Sequence, residues 1–69
     1  MNNDIVDIVA KNIKTLRLQK KLSQEELASL SGLHRTYIRL LERKKKNVSI
    51  KILQRIADAL KVDITSLIK

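Results

Sequence analysis

The sequence contains no cysteine, no proline and a single glycine, Gly32. Without cysteine the chain has no disulfide and no thiolate metal site, and one histidine among seven scattered carboxylates argues against any protein-built metal site. The shortage of glycine and proline removes the turn residues that a many-stranded fold needs. Tyr37 is the one aromatic residue, so the core must be aliphatic. These absences predict a small all-α protein that carries no metal and no cofactor.

The charge of the chain is heavily one-sided. Fifteen Lys and Arg face seven Asp and Glu, which gives a net charge of +8 and a pI near 10.2. Such an excess predicts a polyanionic partner, with nucleic acid as the first candidate and an anionic membrane surface as the second. The longest apolar run, Ile8 to Ala10, is far short of the ~20 residues that cross a bilayer. The start of the sequence, Met1 to Asp4, is acidic and polar where a signal peptide is basic. We therefore expect a cytoplasmic protein.

Apolar spacing and capping residues predict five helices joined by short connections. The clearest start is the capping box of Ser23 and Glu26, and Gly32 ends the helix that follows it. The helices are predicted over about 4–20, 24–31, 35–43, 50–60 and 64–68, after the N-cap residues Asp4, Ser23, His34, Ser49 and Asp63. The inward residues of the fourth helix are predicted to be Ile50, Leu53, Ile56, Ala57 and Leu60, which turns Ile52 outward.

The segment 24–43 has the features of a helix-turn-helix, in which two short helices meet at a tight turn containing glycine. Ala28 is small where the next helix crosses, Gly32 makes the turn, and Ile38 and Leu41 pack back. A chain of 69 residues has room for one such domain, so we assign residues 1–69 to it.

These motifs make the chain resemble the lambda-repressor-like family of five-helix DNA-binding domains, also called the Cro/C1 or Xre type. The resemblance runs from about Ile8 to Ile68 and is carried by Ile13–Arg17, Leu22–Ala28, Gly32–Leu33, Tyr37–Ile38, Glu42–Arg43 and Leu53–Leu60. Within that family, the runs His34–Ile38, Glu42–Arg43 and Asn47–Ile50 look most like the controller proteins of bacterial restriction–modification systems. Arg39 departs from the pattern, because many members carry a small residue there.

The resemblance implies a sequence-specific transcriptional regulator that binds a near-palindromic operator in double-stranded DNA as a homodimer. It further implies control of a restriction–modification operon that includes the regulator's own gene, by blocking or recruiting RNA polymerase. A phage repressor or a toxin–antitoxin repressor is the alternative within the same class.

Three residues of the third helix are predicted to contact bases. If Ile38 and Leu41 face inward, then Arg35, Thr36 and Arg39 face outward. The alternative is that these residues are simply exposed to solvent and bind nothing. In a helix-turn-helix, however, the N-terminal end of the second helix enters the major groove. Arginine there can donate two parallel hydrogen bonds to O6 and N7 of guanine, and the threonine methyl can contact the methyl of thymine.

A second set of residues is predicted to contact phosphates. The resemblance gives this role to Gln24, which is otherwise a solvent-facing helix former. His34 is most simply an N-cap residue, with a phosphate contact as the alternative. Tyr37 could merely cover the edge of the core, with its hydroxyl left to find a phosphate or a base edge. Six of the fifteen cations lie between residues 35 and 46, which favours phosphate contacts over a solvated loop for Arg43, Lys44, Lys45, Lys46 and Asn47.

Two further interactions are expected from relatives. Residues matching Arg17 and Glu42 pair there in a salt bridge between the first and third helices. In this chain the pair is expected to be buried, against the alternative of an exposed pair. Relatives also pair two domains, and here the dimer interface is predicted at the C-terminal end, around a helix of about 64–68. Its residues are predicted to be Ile52, Val62, Ile64, Leu67 and Ile68; the alternative is that these residues only seal the core.

Two other classes of function fit the sequence poorly. An enzyme would need a nucleophile with a base, or a phosphate-binding loop, and one histidine, one glycine and no cysteine provide neither. A membrane-surface peptide would need a continuous amphipathic helix, whereas these apolar stripes are interrupted by capped turns.

Overall fold

Five α-helices make up the protein in the computed structural model, which describes residues 4–69. They are α1 (Ile5–Gln19), α2 (Gln24–Ser31), α3 (Arg35–Glu42), α4 (Ile50–Leu60) and α5 (Thr65–Ile68), and the described residues contain no strand. The all-α prediction is confirmed, and the predicted helices are all present with bounds shifted by a single residue at most. The predicted start of the domain at Met1–Asn3 lies outside the described residues.

Most helices begin where a side chain satisfies the free backbone amides of the first turn. Ser23 Oγ accepts from Glu26 N at 2.9 Å while Glu26 Oε1 accepts from Ser23 N at 2.7 Å, which completes the predicted capping box. Single bonds cap two other helices: Asp4 Oδ1 accepts from the Val6 amide at the start of α1, and Ser49 Oγ accepts from the Ile52 amide at the start of α4. Each such cap stabilises its helix by about 1 kcal/mol.

The start of α5 differs slightly from the prediction. Asp63 was expected at the N-cap position, but α5 begins at Thr65, so that Ile64 occupies it without a side-chain cap bond. The Asp63 carboxylate nevertheless accepts from the Thr65 amide at 3.0 Å and from its hydroxyl at 3.1 Å. The bond from the Thr65 amide favours the ionised carboxylate and lowers the pKa of Asp63.

The core is built from aliphatic side chains of all five helices. Its buried members include Val9, Ile13, Leu27, Ile38, Leu41, Leu53, Ile56, Leu60 and Leu67. Burying one Leu or Ile side chain of this size contributes about 1.5–3 kcal/mol. Because the core joins the two helices of the helix-turn-helix to α1, α4 and α5, the orientation of α3 depends on its packing against the other four helices.

For two apolar residues of α4 the predicted burial is wrong. Ile50 was expected inward but is 78% exposed, because it lies at the end of the helix, beside an open groove rather than beneath another helix. Ile52 was expected outward but is half-buried and packs against the core. The spacing of apolar residues predicts which face of α4 is apolar, but not how much of that face other helices bury.

Leu67 corrects the predicted dimer interface. Its side chain is fully buried in the core of this chain, so it has no surface to offer a partner. The reason is the way α5 docks on α1: Asn12 Nδ2 donates to the Leu67 carbonyl at 3.0 Å and to the Lys69 carbonyl at 3.3 Å. These bonds hold the C-terminal turn against α1 with Leu67 turned inward.

Glycine is favoured over other residues at Gly32, where α2 ends. It ends α2 in the left-handed region at φ 71°, and a Cβ there would lie 2.5 Å from Arg55 Nη2. We expect Gly32→Ala to lower the free energy of unfolding by about 1–2 kcal/mol, measured by urea denaturation. Lys61 ends α4 at φ 59°, so Lys61→Gly is the matched control and should be neutral or stabilising. An unchanged stability for Gly32→Ala would contradict the strained turn.

Candidate nucleic-acid interface

Helices α2 and α3 meet at a tight turn that exposes one face of α3. Leu27 and Ala28 of α2 are buried, as are Ile38 and Leu41 of α3, so these four residues form the seam between the helices. Gly32 makes the turn, with the Leu33 amide donating to the Ala28 carbonyl at 2.8 Å. This is the helix-turn-helix geometry that the sequence predicts for residues 24–43.

The outward face of α3 carries the three residues predicted to contact bases. Arg35 and Arg39 are exposed, Thr36 is half-buried, and together with Gln24 they line one polar concavity of about 230 Å³. Within residues 4–69 neither arginine has a carboxylate partner at salt-bridge distance. The structure therefore places two free guanidinium groups and a hydroxyl around a single opening at the surface.

A buried ion pair fixes the far end of α3. Arg17 Nε donates to Glu42 Oε2 at 2.7 Å and Arg17 Nη2 donates to Glu42 Oε1 at 3.0 Å, with side-chain exposures of 9% and 3%. Arg17 Nη1 also donates to the Leu22 carbonyl at 2.8 Å. The expected pair is thus present in its buried form, and it ties α3 to the end of α1 and to the loop before α2.

Gln24 extends this network to the concavity. Its Nε2 donates to Glu42 Oε1 at 3.1 Å, so its side chain is half-buried instead of directed freely to solvent. A carboxylate accepts but cannot donate, so the NH₂ group of Gln24 must face Glu42. The Gln24 carbonyl oxygen and its second N–H remain for a ligand.

His34 fulfils its predicted local role and keeps one nitrogen free. His34 Nδ1 accepts from the Thr36 amide at 3.1 Å, which caps α3, and the side chain is exposed. When one ring nitrogen of a neutral imidazole accepts, the other carries the proton. The cap therefore orients an Nε2–H donor, so the predicted phosphate contact is compatible with capping.

Tyr37 joins α3 to the basic loop at 43–47. Its ring packs half-buried against the core, and its hydroxyl donates to the Asn47 carbonyl at 3.4 Å. The ammonium of Lys46 lies 5.9 Å from the centre of the ring, within the range of a cation–π contact. Both contacts hold the loop beside the exposed face of α3.

The loop itself concentrates positive charge. Its members are all exposed: Arg43, Lys44, Lys45, Lys46 and Asn47. Lys44 lies 4.0 Å from Asp7 Oδ1, so it is partly compensated. Glu42 is the only carboxylate between residues 35 and 46, and its charge is already paired with Arg17. The field of the remaining cations therefore reaches solvent unopposed.

Arg55 supports the turn, and sequence reasoning missed it. Its Nε donates to the Ser31 carbonyl at 3.1 Å and its Nη2 to the Gly32 carbonyl at 2.8 Å, so α4 satisfies two free acceptors at the end of α2. Basic residues often serve helix C-termini, but here the donor comes from 23 to 24 residues along the chain. No local pattern indicates such a contact.

An apolar groove of about 510 Å³ lies between the start of α1, the start of α4 and α5. Three exposed isoleucines line it, namely Ile5, Ile50 and Ile68, together with the half-buried Ile64. Of the predicted dimer residues, Ile64 and Ile68 belong to this groove. Ile52 and Val62 do not line it and pack half-buried against the core.

Metal sites and membrane-spanning helices are both absent from the described residues. Within 4–69, no three His, Cys, Asp or Glu side chains come together in a way that could hold a metal ion. None of the described helices has both the length and the apolar character needed to span a membrane.

Comparison with known proteins places this geometry among DNA-binding regulators. A model of the helix-turn-helix family matches residues 13–67. Control protein C.SmaI of Serratia marcescens is 46% identical over 65 residues, which cover 94% of this chain and 77% of that one. The crystal structure of restriction-modification controller protein C.AhdI from Aeromonas hydrophila superposes with a TM-score of 0.87 at 39% identity, covering 90% of this chain and 94% of that one.

A third similar structure contains DNA. The restriction-modification controller protein C.Esp1396I, solved as a tetramer in complex with its natural 35 base-pair operator, superposes with a TM-score of 0.84. Its sequence is 36% identical, and the match covers 96% of this chain and 97% of that one.

Proposed function

The chain belongs to the helix-turn-helix family of transcription regulators, and we propose that it binds operator DNA as a homodimer and so controls a restriction–modification operon that includes its own gene. The observation that carries DNA binding is the polar concavity, where Arg35, Thr36 and Arg39 are collected on the outer face of α3. The similarity to restriction–modification controller proteins supports the choice of operon. We assign residues 1–69 to one such domain, which acts by occupying DNA in the cytoplasm and not by catalysis.

Recognition begins with the N-terminal end of α3 in the major groove. Guanidinium groups can donate two parallel bonds to O6 and N7 of guanine, and the Thr36 methyl can meet the methyl of thymine. Because both arginines lack a carboxylate partner among the described residues, their donors are available to bases without breaking an ion pair.

Phosphate contacts surround the base-reading face. His34 offers the Nε2–H left by its cap, and Gln24 offers its second N–H. Tyr37 can donate to a phosphate once its hydroxyl leaves the Asn47 carbonyl, which it contacts at 3.4 Å. The exposed cations of the loop 43–47 add attraction that does not depend on base sequence. These contacts set the position of α3 on the duplex, while the arginines provide selectivity.

Base and phosphate contacts predict different responses to mutation. Arg35→Ala is expected to weaken specific binding by about 1–3 kcal/mol and to relax the base preference. Lys45→Ala should weaken binding to all duplexes alike and reduce the slope of log affinity against log salt by about one unit or less. Titration of both variants at several salt concentrations checks this. An unchanged affinity for Arg35→Ala, with lost selectivity for Lys45→Ala, would contradict the assigned roles.

A second copy of the chain completes the interface. One recognition helix reads few base pairs, whereas two helices about 34 Å apart read two half-sites one turn of DNA apart. The apolar groove offers three exposed isoleucines from three helices, a patch that a two-fold axis buries in both copies. A bound dimer of this kind blocks RNA polymerase at one site or recruits it at another.

Selection of bound duplexes from a random pool tests the proposal directly. The expected result is a near-palindromic motif of two half-sites whose centres lie about one helical turn apart. Uniform retention of all sequences would overturn it. The operon is tested separately by the genes beside this one: phage or toxin–antitoxin genes in place of an endonuclease and a methyltransferase would contradict the restriction–modification assignment alone.

A further inference from the structure

Among residues 4–69 Arg39 has no ion-pair partner, because the buried network around Glu42 occupies the carboxylate nearest to it on α3. Residues three apart on a helix are neighbours, so Glu42 is the natural ion-pair partner of Arg39. The two oxygens of Glu42 instead accept bonds from Arg17 and Gln24, and its side chain is only 3% exposed. With Glu42 occupied, the Arg39 guanidinium is free to contact DNA.

Arg39 also lies on the same face as Arg35. The two residues are four positions apart on α3 and line the same concavity. Four residues of helix rise by about 6 Å, which is close to two base-pair steps of about 3.4 Å. This backbone spacing allows the two arginine side chains to reach two different base pairs of one half-site.

We infer that each operator half-site carries two guanines, about one to two base-pair steps apart, with one read by Arg35 and the other by Arg39. This inference rests on the proposed function and names the bases that its site selects. Arg39 is thereby a specificity-determining residue, and its availability depends on Arg17 and Gln24 holding Glu42 inside the protein.

The test is selection from a random duplex pool with the wild-type chain, Arg35→Ala, Arg39→Ala and Arg43→Ala. The wild type should enrich two guanines per half-site, and each of the first two variants should lose one guanine while keeping the other. Arg43 is an exposed arginine outside the concavity, so Arg43→Ala should lower affinity without changing the motif. The affinity of Arg39→Ala for the wild-type motif should fall by about 5- to 150-fold.

A second measurement changes the DNA instead of the protein. Replacing either guanine of the selected motif by 7-deazaguanine removes the N7 acceptor, so wild-type binding should fall several-fold at both positions. Arg39→Ala should be insensitive to the replacement at its own position. If Arg39→Ala enriches the same two guanines as the wild type, the inference is wrong and the proposed function stands. If the wild type enriches no sequence, the proposed function itself fails.

Discussion

Arg17→Ala is expected to lower the free energy of unfolding by about 3–5 kcal/mol, because it leaves Glu42 as an uncompensated charge inside the protein. The Glu42 side chain is 3% exposed and would lose two of its three hydrogen bonds, and the Leu22 carbonyl would lose its donor. Domains of this kind are stable by only about 5–15 kcal/mol, so the loss is a large fraction of the total. Thermal and urea denaturation followed by circular dichroism measure it.

The matched control is Lys14→Ala, which removes a cation from the same helix at an exposed position. A surface substitution of this kind changes stability by about 0.5 kcal/mol or less. The double variant Arg17→Met with Glu42→Leu should recover much of the loss, since it removes the orphaned charge together with its partner. Equal melting temperatures for Arg17→Ala and Lys14→Ala would show that the pair contributes nothing as a buried bridge.

The sequence predicts local features of this fold well, because they depend on neighbours along the chain. The capping box of Ser23 and Glu26 and the left-handed Gly32 involve residues within one helix and its ends. The outward position of Arg35 and Arg39 likewise follows from helical periodicity once Ile38 is known to face inward.

Features that depend on distant packing could not be derived in this way. Arg55 reaches the Ser31 and Gly32 carbonyls from another helix, and no spacing rule connects them. The Arg17–Glu42 pair followed from family resemblance, since its partners are 25 residues apart. Leu67 and Ile50 show the same limit for apolar residues: the pattern gives a face, but the burial of that face depends on which helix covers it.

Ile50→Glu is expected to convert the proposed dimer to a folded monomer. Ile50 is 78% exposed in the apolar groove, so each glutamate would be buried against the partner without a counter-charge, twice per dimer. A penalty of several kcal/mol per buried charge raises the dissociation constant by roughly a thousandfold or more. The monomer should stay folded, because position 50 begins α4 and a carboxylate there is favoured by the helix dipole. Sedimentation at micromolar concentration without DNA measures the change.

Two control variants, Leu18→Glu and Leu67→Lys, test whether an added charge disrupts the dimer only when it lies in the groove. Leu18 is 55% exposed on α1 and does not line the groove, so Leu18→Glu should leave the dimer intact. Leu67 is wholly buried, so Leu67→Lys should unfold the chain because it places an unpaired charge in the core. Ile68→Glu, at a groove residue 42% exposed, should repeat the result of Ile50→Glu. A wild-type protein that stays monomeric, or an Ile50→Glu variant that stays dimeric, would remove the groove as the site of the second copy.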